Sequence, residues 1–179
     1  MQICPAGPGD QAAIVTLFRS VFTDAEGDAE GQVIGGLARD LLTTTASNDR
    51  YCFVARDGAA IVGSIILSRI TFASAIDAFI LAPVAVATAR QRRGIGQQLI
   101  AFGIGQLALA GVALVITYGD PAFYLKSGFE PVLPSVVPPP HPLQQPQGWL
   151  ARSLTGNPIR PIQGKSTCVA ALDHPRYWA

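Results

Sequence analysis

Gln91-Arg92-Arg93-Gly94-Ile95-Gly96 stands between two apolar runs, Ile76–Val86 and Gly94–Ala110. The first run is rich in β-branched and small residues and reads as a strand. Pro83 interrupts it, and a proline cannot donate to a ladder, so a bulge or a splay is expected there. The second run reads as a helix. Two glycines at a strand-to-helix turn leave the first N–H groups of that helix free, at the positive end of its dipole. The result is a cradle suited to a pyrophosphate, with no Cβ at Gly94 or Gly96 to crowd the phosphates and with Arg92 and Arg93 as fixed charge beside it. A glycine-punctuated turn with solvated arginines would look the same in isolation. A second segment, Tyr124-Leu125-Lys126-Ser127-Gly128-Phe129, separates the two readings.

Together the segments resemble the GCN5-related N-acetyltransferase (GNAT) superfamily. Its members carry Q/R-x-x-G-x-G/A at the head of one helix and Y-x-K-x-G-F at the end of a short second helix. Ala82-Pro83-Val84-Ala85-Val86 is similar to the strand that precedes the loop, and the resemblance covers residues 1–132. It implies an α/β (α+β) fold: a mixed, mostly antiparallel sheet with helices on both faces and a splayed central strand. It also implies acetyl-CoA as cosubstrate with no metal, held by Val84, Ala85, Val86, Arg92, Arg93, Gly94, Ile95, Gly96 and Gln97. The pantetheine would pair with the free strand edge, with the N–H near Val84 facing the acetyl carbonyl. Tyr124 would be the catalytic acid.

The chemistry of those residue types agrees. A phenol is protonated at pH 7, so Tyr124 can hand a proton to a departing thiolate. Its plain alternative is an anchor for the short helix. Tyr118 is a rival on the same wall but lies outside the Y-x-K-x-G-F spacing, and Lys126 reads as solvated. The implied activity is acetyl transfer from acetyl-CoA to a primary amine by direct attack; the alternative is a catalytically silent acyl-CoA-binding or regulatory module. Two positions depart from the family pattern. Thr117 stands where many members have an asparagine lining the pantetheine, and Ala87-Thr88 replaces an acidic residue and a proline. Candidate bases for the amine are Asp77, Glu26 and Glu30, or a water chain.

Composition narrows the class. The 179 residues suit one domain, with 49% apolar and only 14% charged residues. A net charge of +1, with no basic cluster beyond Arg90, Arg92 and Arg93, argues against a nucleic-acid partner. Cys4, Cys52 and Cys168 read as reduced thiols of a cytoplasmic protein. The N-terminus lacks a secretory pattern, and glutamines and glycines break the uncharged stretch 94–119, so no membrane partner is expected. Gly164-Lys165-Ser166-Thr167 lacks the first glycine of a P-loop, and His141 and His174 lack ligand-spaced neighbours for zinc.

Along the chain, Ile3-Cys4 reads as a short strand and Asp10–Phe22 as a helix with Ile14, Leu17, Phe18 and Val21 on one face. The acidic stretch Thr23–Gly31 reads as a loop, and Glu30–Thr43 as a second helix weakened by Gly35-Gly36. Tyr51–Ala55 and Ala60–Ile70 form a hairpin about Asp57-Gly58, and Val112–Thr117 is a further strand. Asp120-Pro121 starts the short helix that carries Tyr124, and Phe129–Val132 resumes as strand. The expected division is a core over 1–132, then a proline-rich arm and a final strand (Thr167–Leu172) over 133–179, packed on the same domain. Helix 94–110 is apolar all round, with Phe102 and Leu109 on its outer side. That predicts cover by the arm, with Trp149 and Trp178 as anchors, or by a second subunit in a homodimer.

Overall fold

The computed structural model describes residues 1–179. Eight strands make one sheet: β1 (Gln2–Pro5), β2 (Arg50–Asp57), β3 (Ala60–Phe72), β4 (Ala78–Val86), β5 (Leu114–Tyr118), β6 (Glu130–Pro131), β7 (Trp149–Ser153) and β8 (Ser166–Cys168). Their order is β1-β2-β3-β4-β5-β7-β6, with β8 paired to β3. Every pairing is antiparallel except that of β4 with β5. Four helices flank the sheet: α1 (Gln11–Glu26), α2 (Asp28–Thr44), α3 (Ile95–Leu109) and the single turn α4 (Pro121–Tyr124). The mixed, mostly antiparallel sheet with helices on both faces is the expected architecture.

Strand alternation sorts the core onto the two faces. Val54, Ile66, Ile70 and Ile80 meet α1 and α2 on one side. Phe53, Ile65, Leu67 and Phe79 meet α3 on the other. Both faces are covered, which is why β2 and β3 read as nearly unbroken apolar runs rather than strict alternations.

The acidic stretch expected as a loop is helical instead. α1 continues to Glu26, a single residue (Gly27, φ 98°) breaks the path, and α2 begins at Asp28. The glycines of α2 explain how the two helices close on each other. A Cβ on Gly31 would come within 1.9 Å of Thr23 Oγ1, and one on Gly35 within 2.9 Å of Arg19 Cβ. Gly31 and Gly35 are thus the contact surface with α1, and packing there outweighs a propensity cost of about 1 kcal/mol each; Gly36 faces away from α1.

The proline-rich arm also departs from expectation. It contains β7, which inserts between β5 and β6 along Leu114–Tyr118. Trp149 and Ala151 point to the α1–α2 face and Leu150 to the α3 face. The Trp149 indole N–H donates to Val137 O (2.8 Å), and that of Trp178 to Leu172 O (3.1 Å). Both tryptophans therefore anchor the arm, but on the α1–α2 side. They do not cover α3. Phe102 packs edge-on against Phe53 (5.4 Å), and Leu109 is 85% exposed. Of the expected final strand, Ser166–Cys168 pairs with Ile70–Phe72 of β3, while Ala170–Leu172 is a 3-10 turn. No helix is long and apolar enough to cross a membrane.

Candidate active site

β4 and β5 pair from Ala78/Leu114 only as far as Leu81/Thr117. Beyond that point β4 bulges. Against β3 its register passes from Leu67↔Leu81 to Ile65↔Val84, so Ala82 and Pro83 share one partner position. The proline read from sequence sits at the parting of the strands. After the bulge, Ala87 N–H donates to Val62 O of β3 (2.8 Å). By the alternation of an antiparallel ladder, Ala85 turns its main chain to β3 while Val84 and Val86 turn theirs into the gap. The Val86 carbonyl accepts from the Gln91 side-chain amide (3.1 Å), which fastens the loop to the strand end.

The loop that follows bends through two left-handed residues, Arg92 (φ 61°) and Gly94 (φ 77°). For arginine that conformation costs about 1 kcal/mol or more, and strain of this kind gathers where a backbone must face a ligand. α3 begins at Ile95, and Gln98 N–H makes the first bond back, to Gly94 O (3.0 Å). The N–H groups of Ile95, Gly96 and Gln97 precede any intrahelical acceptor and form the positive end of the helix. Thr88 Oγ1 donates to Asp24 Oδ2 (2.6 Å), tying this loop to the end of α1. Arg90 is neutralised by Asp57 (2.5 Å), whereas Arg92 forms no ion pair. Gly94 is required by its positive φ. Gly96 is required for a reason other than phosphate crowding: a Cβ there would lie 2.9 Å from the Phe123 ring of α4.

A cavity of about 1300 Å³ opens between these parts and passes through the sheet where β4 leaves β5. On the α3 side it is walled by Val84, Val86, the loop from Arg90, Gly96, Phe123 and Tyr124; on the α1–α2 side Val21, Phe22, Glu26, Glu30, Ile34 and Leu37 line it. Ala85, Arg92, Gly94, Ile95 and Gln97 also line it. Arg93 is exposed and lies outside the wall.

Asp120 caps α4, its carboxylate accepting from Ala122 N–H (2.9 Å), and the turn carries Tyr124 into the wall with 9% of its surface exposed. Phe123 and Phe129 meet its ring edge-on, at 5.0 and 5.7 Å. Burial pushes the phenol above its ordinary pKa; the Thr117 hydroxyl opposes that and Asp120 adds to it. Thr117 is itself fully buried and donates to Leu81 O (2.9 Å). Of the candidate bases, Asp77 is ruled out by position. It precedes β4 at the end away from the gap and is paired with Arg69 (2.5 Å). Glu26 and Glu30 line the cavity, at the end of α1 and in the first turn of α2.

Tyr118, the rival phenol, stands on the same wall, and the C-terminal segment beside it is the part that sequence reasoning missed. Tyr118 stacks on Trp178, and its hydroxyl accepts from Gln145 N–H (2.9 Å). Arg176 and Tyr177 reach the same cavity from the C-terminal segment. The alternation in Trp149-Leu150-Ala151 was the available signal for the strand that brings this segment in, and the surrounding prolines obscured it.

Residues 48–131 match the family model of the acetyltransferase (GNAT) domain. The chain is 33% identical over 129 residues to the uncharacterised N-acetyltransferase YjhQ of Escherichia coli K12, spanning 69% of this chain and 71% of that protein. It is 30% identical over 124 residues to YhbS of the same organism, another uncharacterised N-acetyltransferase, at 69% and 70% coverage. Among solved structures, a GNAT family acetyltransferase from Brucella melitensis in complex with acetyl-CoA superposes with a TM-score of 0.76 at 26% identity, over 96% of this chain and 97% of that one. E. coli YhbS in complex with CoA superposes with a TM-score of 0.79 at 23% identity, over 97% and 92%. The chain belongs to the GNAT acetyltransferase family.

Proposed function

We propose that this protein transfers an acetyl group from acetyl-CoA to a primary amine. One observation carries the reading. The free edge of β4, the unblocked head of α3 and the Tyr124 phenol bound a single cavity that crosses the sheet. A diphosphate would take the N–H groups of Ile95, Gly96 and Gln97, with Arg92 beside it. The pantetheine would lie as an added strand along Val84–Val86, with Val84 N–H against the thioester carbonyl. Glu26 and Glu30 line the opposite side, from which the amine would approach.

The amine nitrogen attacks the thioester carbon, the carbonyl oxygen takes up charge against Val84 N–H, and the C–S bond breaks. The thiolate receives the Tyr124 proton. One ammonium proton leaves through water or a cavity carboxylate before the attack, which frees the lone pair; a second, lost from nitrogen after the bond forms, restores the Tyr124 phenol. Net, one acetyl-CoA and one ammonium give the amide, the free thiol and one proton. Burial keeps Tyr124 protonated across the neutral range, which suits an acid whose partner is a thiolate. The three unpaired cysteines support a reducing compartment, the cytoplasm. The exposed outer side of α3, ending in Leu109, is the surface through which we propose that two copies meet.

Calorimetry with acetyl-CoA, followed by thiol release against a panel of amines, tests the proposal. Tyr124→Phe is expected to lower the rate about a hundredfold while leaving acetyl-CoA affinity unchanged. Heat without thiol release across the panel would point to the silent acyl-CoA-binding module instead. No heat at all would end both readings.

A further inference from the structure

The α1–α2 mouth of the cavity combines three kinds of surface. Glu26 and Glu30 present carboxylates, and neither forms an ion pair. Arg176 presents a guanidinium that is likewise without a carboxylate partner. It is exposed but held in place: its Nε donates to His174 Nδ1 (3.2 Å) and its guanidinium lies over the Tyr177 ring (5.7 Å). Both contacts leave the two terminal nitrogens for another acceptor, in the planar arrangement that suits a carboxylate. Between the charges runs an apolar wall of Phe22, Ile34, Leu37 and Leu172. The segment that carries Arg176 is fixed, since Ala170–Leu172 packs on α2 and Trp178 is buried against Trp149.

A chain with only 14% charged residues thus keeps unpaired charges of both signs in one mouth, separated by aliphatic and aromatic surface. A polycation would be drawn to the glutamates and repelled by the arginine. A plain alkylamine would leave the guanidinium unused.

Resting on the acetyl-transfer reading, we propose that the acceptor is a free α-amino acid with an apolar side chain. Its carboxylate is taken by Arg176, its side chain lies on Phe22, Ile34 and Leu172, and its amine sits beside Glu26 and Glu30 facing the gap between β4 and β5. The ammonium first loses one proton to solvent; the free amine then forms the new bond to the acetyl carbon, the carbon–sulfur bond breaks, the thiolate takes the Tyr124 proton, and a second proton from nitrogen restores the phenol. The product is an N-acetylamino acid.

The test compares L-leucine, isopentylamine (the same body without the carboxylate) and spermidine as acceptors, by thiol release from acetyl-CoA. L-Leucine is expected to exceed isopentylamine in kcat/KM by about tenfold or more, mostly through KM. Arg176→Gln should bring that ratio to about one, with calorimetric affinity for acetyl-CoA retained as the sign of an intact fold. Isopentylamine or spermidine used as well as L-leucine would overturn this inference while leaving acetyl transfer standing. So would a ratio that survives Arg176→Gln. Absence of heat with acetyl-CoA would overturn the transfer reading, and the acceptor with it.

Discussion

The Thr117 hydroxyl donates to the Leu81 carbonyl at 2.9 Å, at the last rung that β4 and β5 share. Beyond this bond the two strands separate. The same hydroxyl opposes the effect of burial on the Tyr124 phenol. One buried side chain therefore marks the start of the gap and opposes the upward shift of the acid that would serve it.

Thr117→Val keeps the shape and removes the hydroxyl. The Leu81 carbonyl loses its partner, at a cost of about 1–3 kcal/mol in stability. Turnover should fall with little change in acetyl-CoA affinity, and Thr117→Ser should restore it. Thermal unfolding and steady-state kinetics on the two variants check this.

The Tyr124 phenol titrates above its ordinary value because burial disfavours the phenolate. The unfolded chain therefore loses this proton first as pH rises. The stability linked to the group is fully present below about pH 10 and declines above it. For catalysis the sign is the same: any alkaline loss of rate from this acid should lie above pH 10, and that limb should vanish in Tyr124→Phe. A pH–rate profile of wild type and variant, with denaturant unfolding across the same range, reads both.

Gly94→Ala and Gly96→Ala should fail for different reasons. Alanine at 94 must adopt a φ of 77°, costing about 1 kcal/mol or more of strain within the loop. Alanine at 96 meets the Phe123 ring at 2.9 Å and pushes α4, with Tyr124, away from α3. Calorimetry is expected to show the first variant weakened in acetyl-CoA binding. Kinetics should show the second weakened chiefly in turnover, and Gly96→Ala with Phe123→Leu should recover part of it.

Trp149→Ala empties the centre of the α1–α2 core and should cost about 3–5 kcal/mol. A chain cut after Val132 would lose β7 and leave both β5 and β6 unpaired on that side. It is expected to be unfolded by circular dichroism.

Much of this was legible because local chemistry and tertiary role coincide. Pro83 forbids a ladder bond wherever it sits, and the strand indeed bulges there. The glycine loop does open α3, although the left-handed φ of Gly94 was not foreseen, and Asp120-Pro121 caps the turn that carries Tyr124. Where the local signal has two meanings, the sequence misled. Glycines in α2 look like weakness until α1 is seen lying against them. Asp24, Glu26 and Asp28 look like a solvated loop, yet a single glycine suffices to turn the chain between two helices. Trp149-Leu150-Ala151 alternates as a strand should, but only its neighbours β5 and β6, distant in sequence, give it a place. Arg176 carried no signal at all, because nothing local distinguishes it from an ordinary surface arginine.

A cavity lined from both faces of the sheet would let two molecules dock without competing for one doorway. Donor and acceptor would meet in the middle, neither having to leave before the other arrives. Initial-rate plots should then intersect instead of running parallel, and excess acceptor should not choke the reaction by sitting where the nucleotide belongs. A single compound joining coenzyme A to an amine through the acetyl position would thread the sheet like a pin and hold both faces at once.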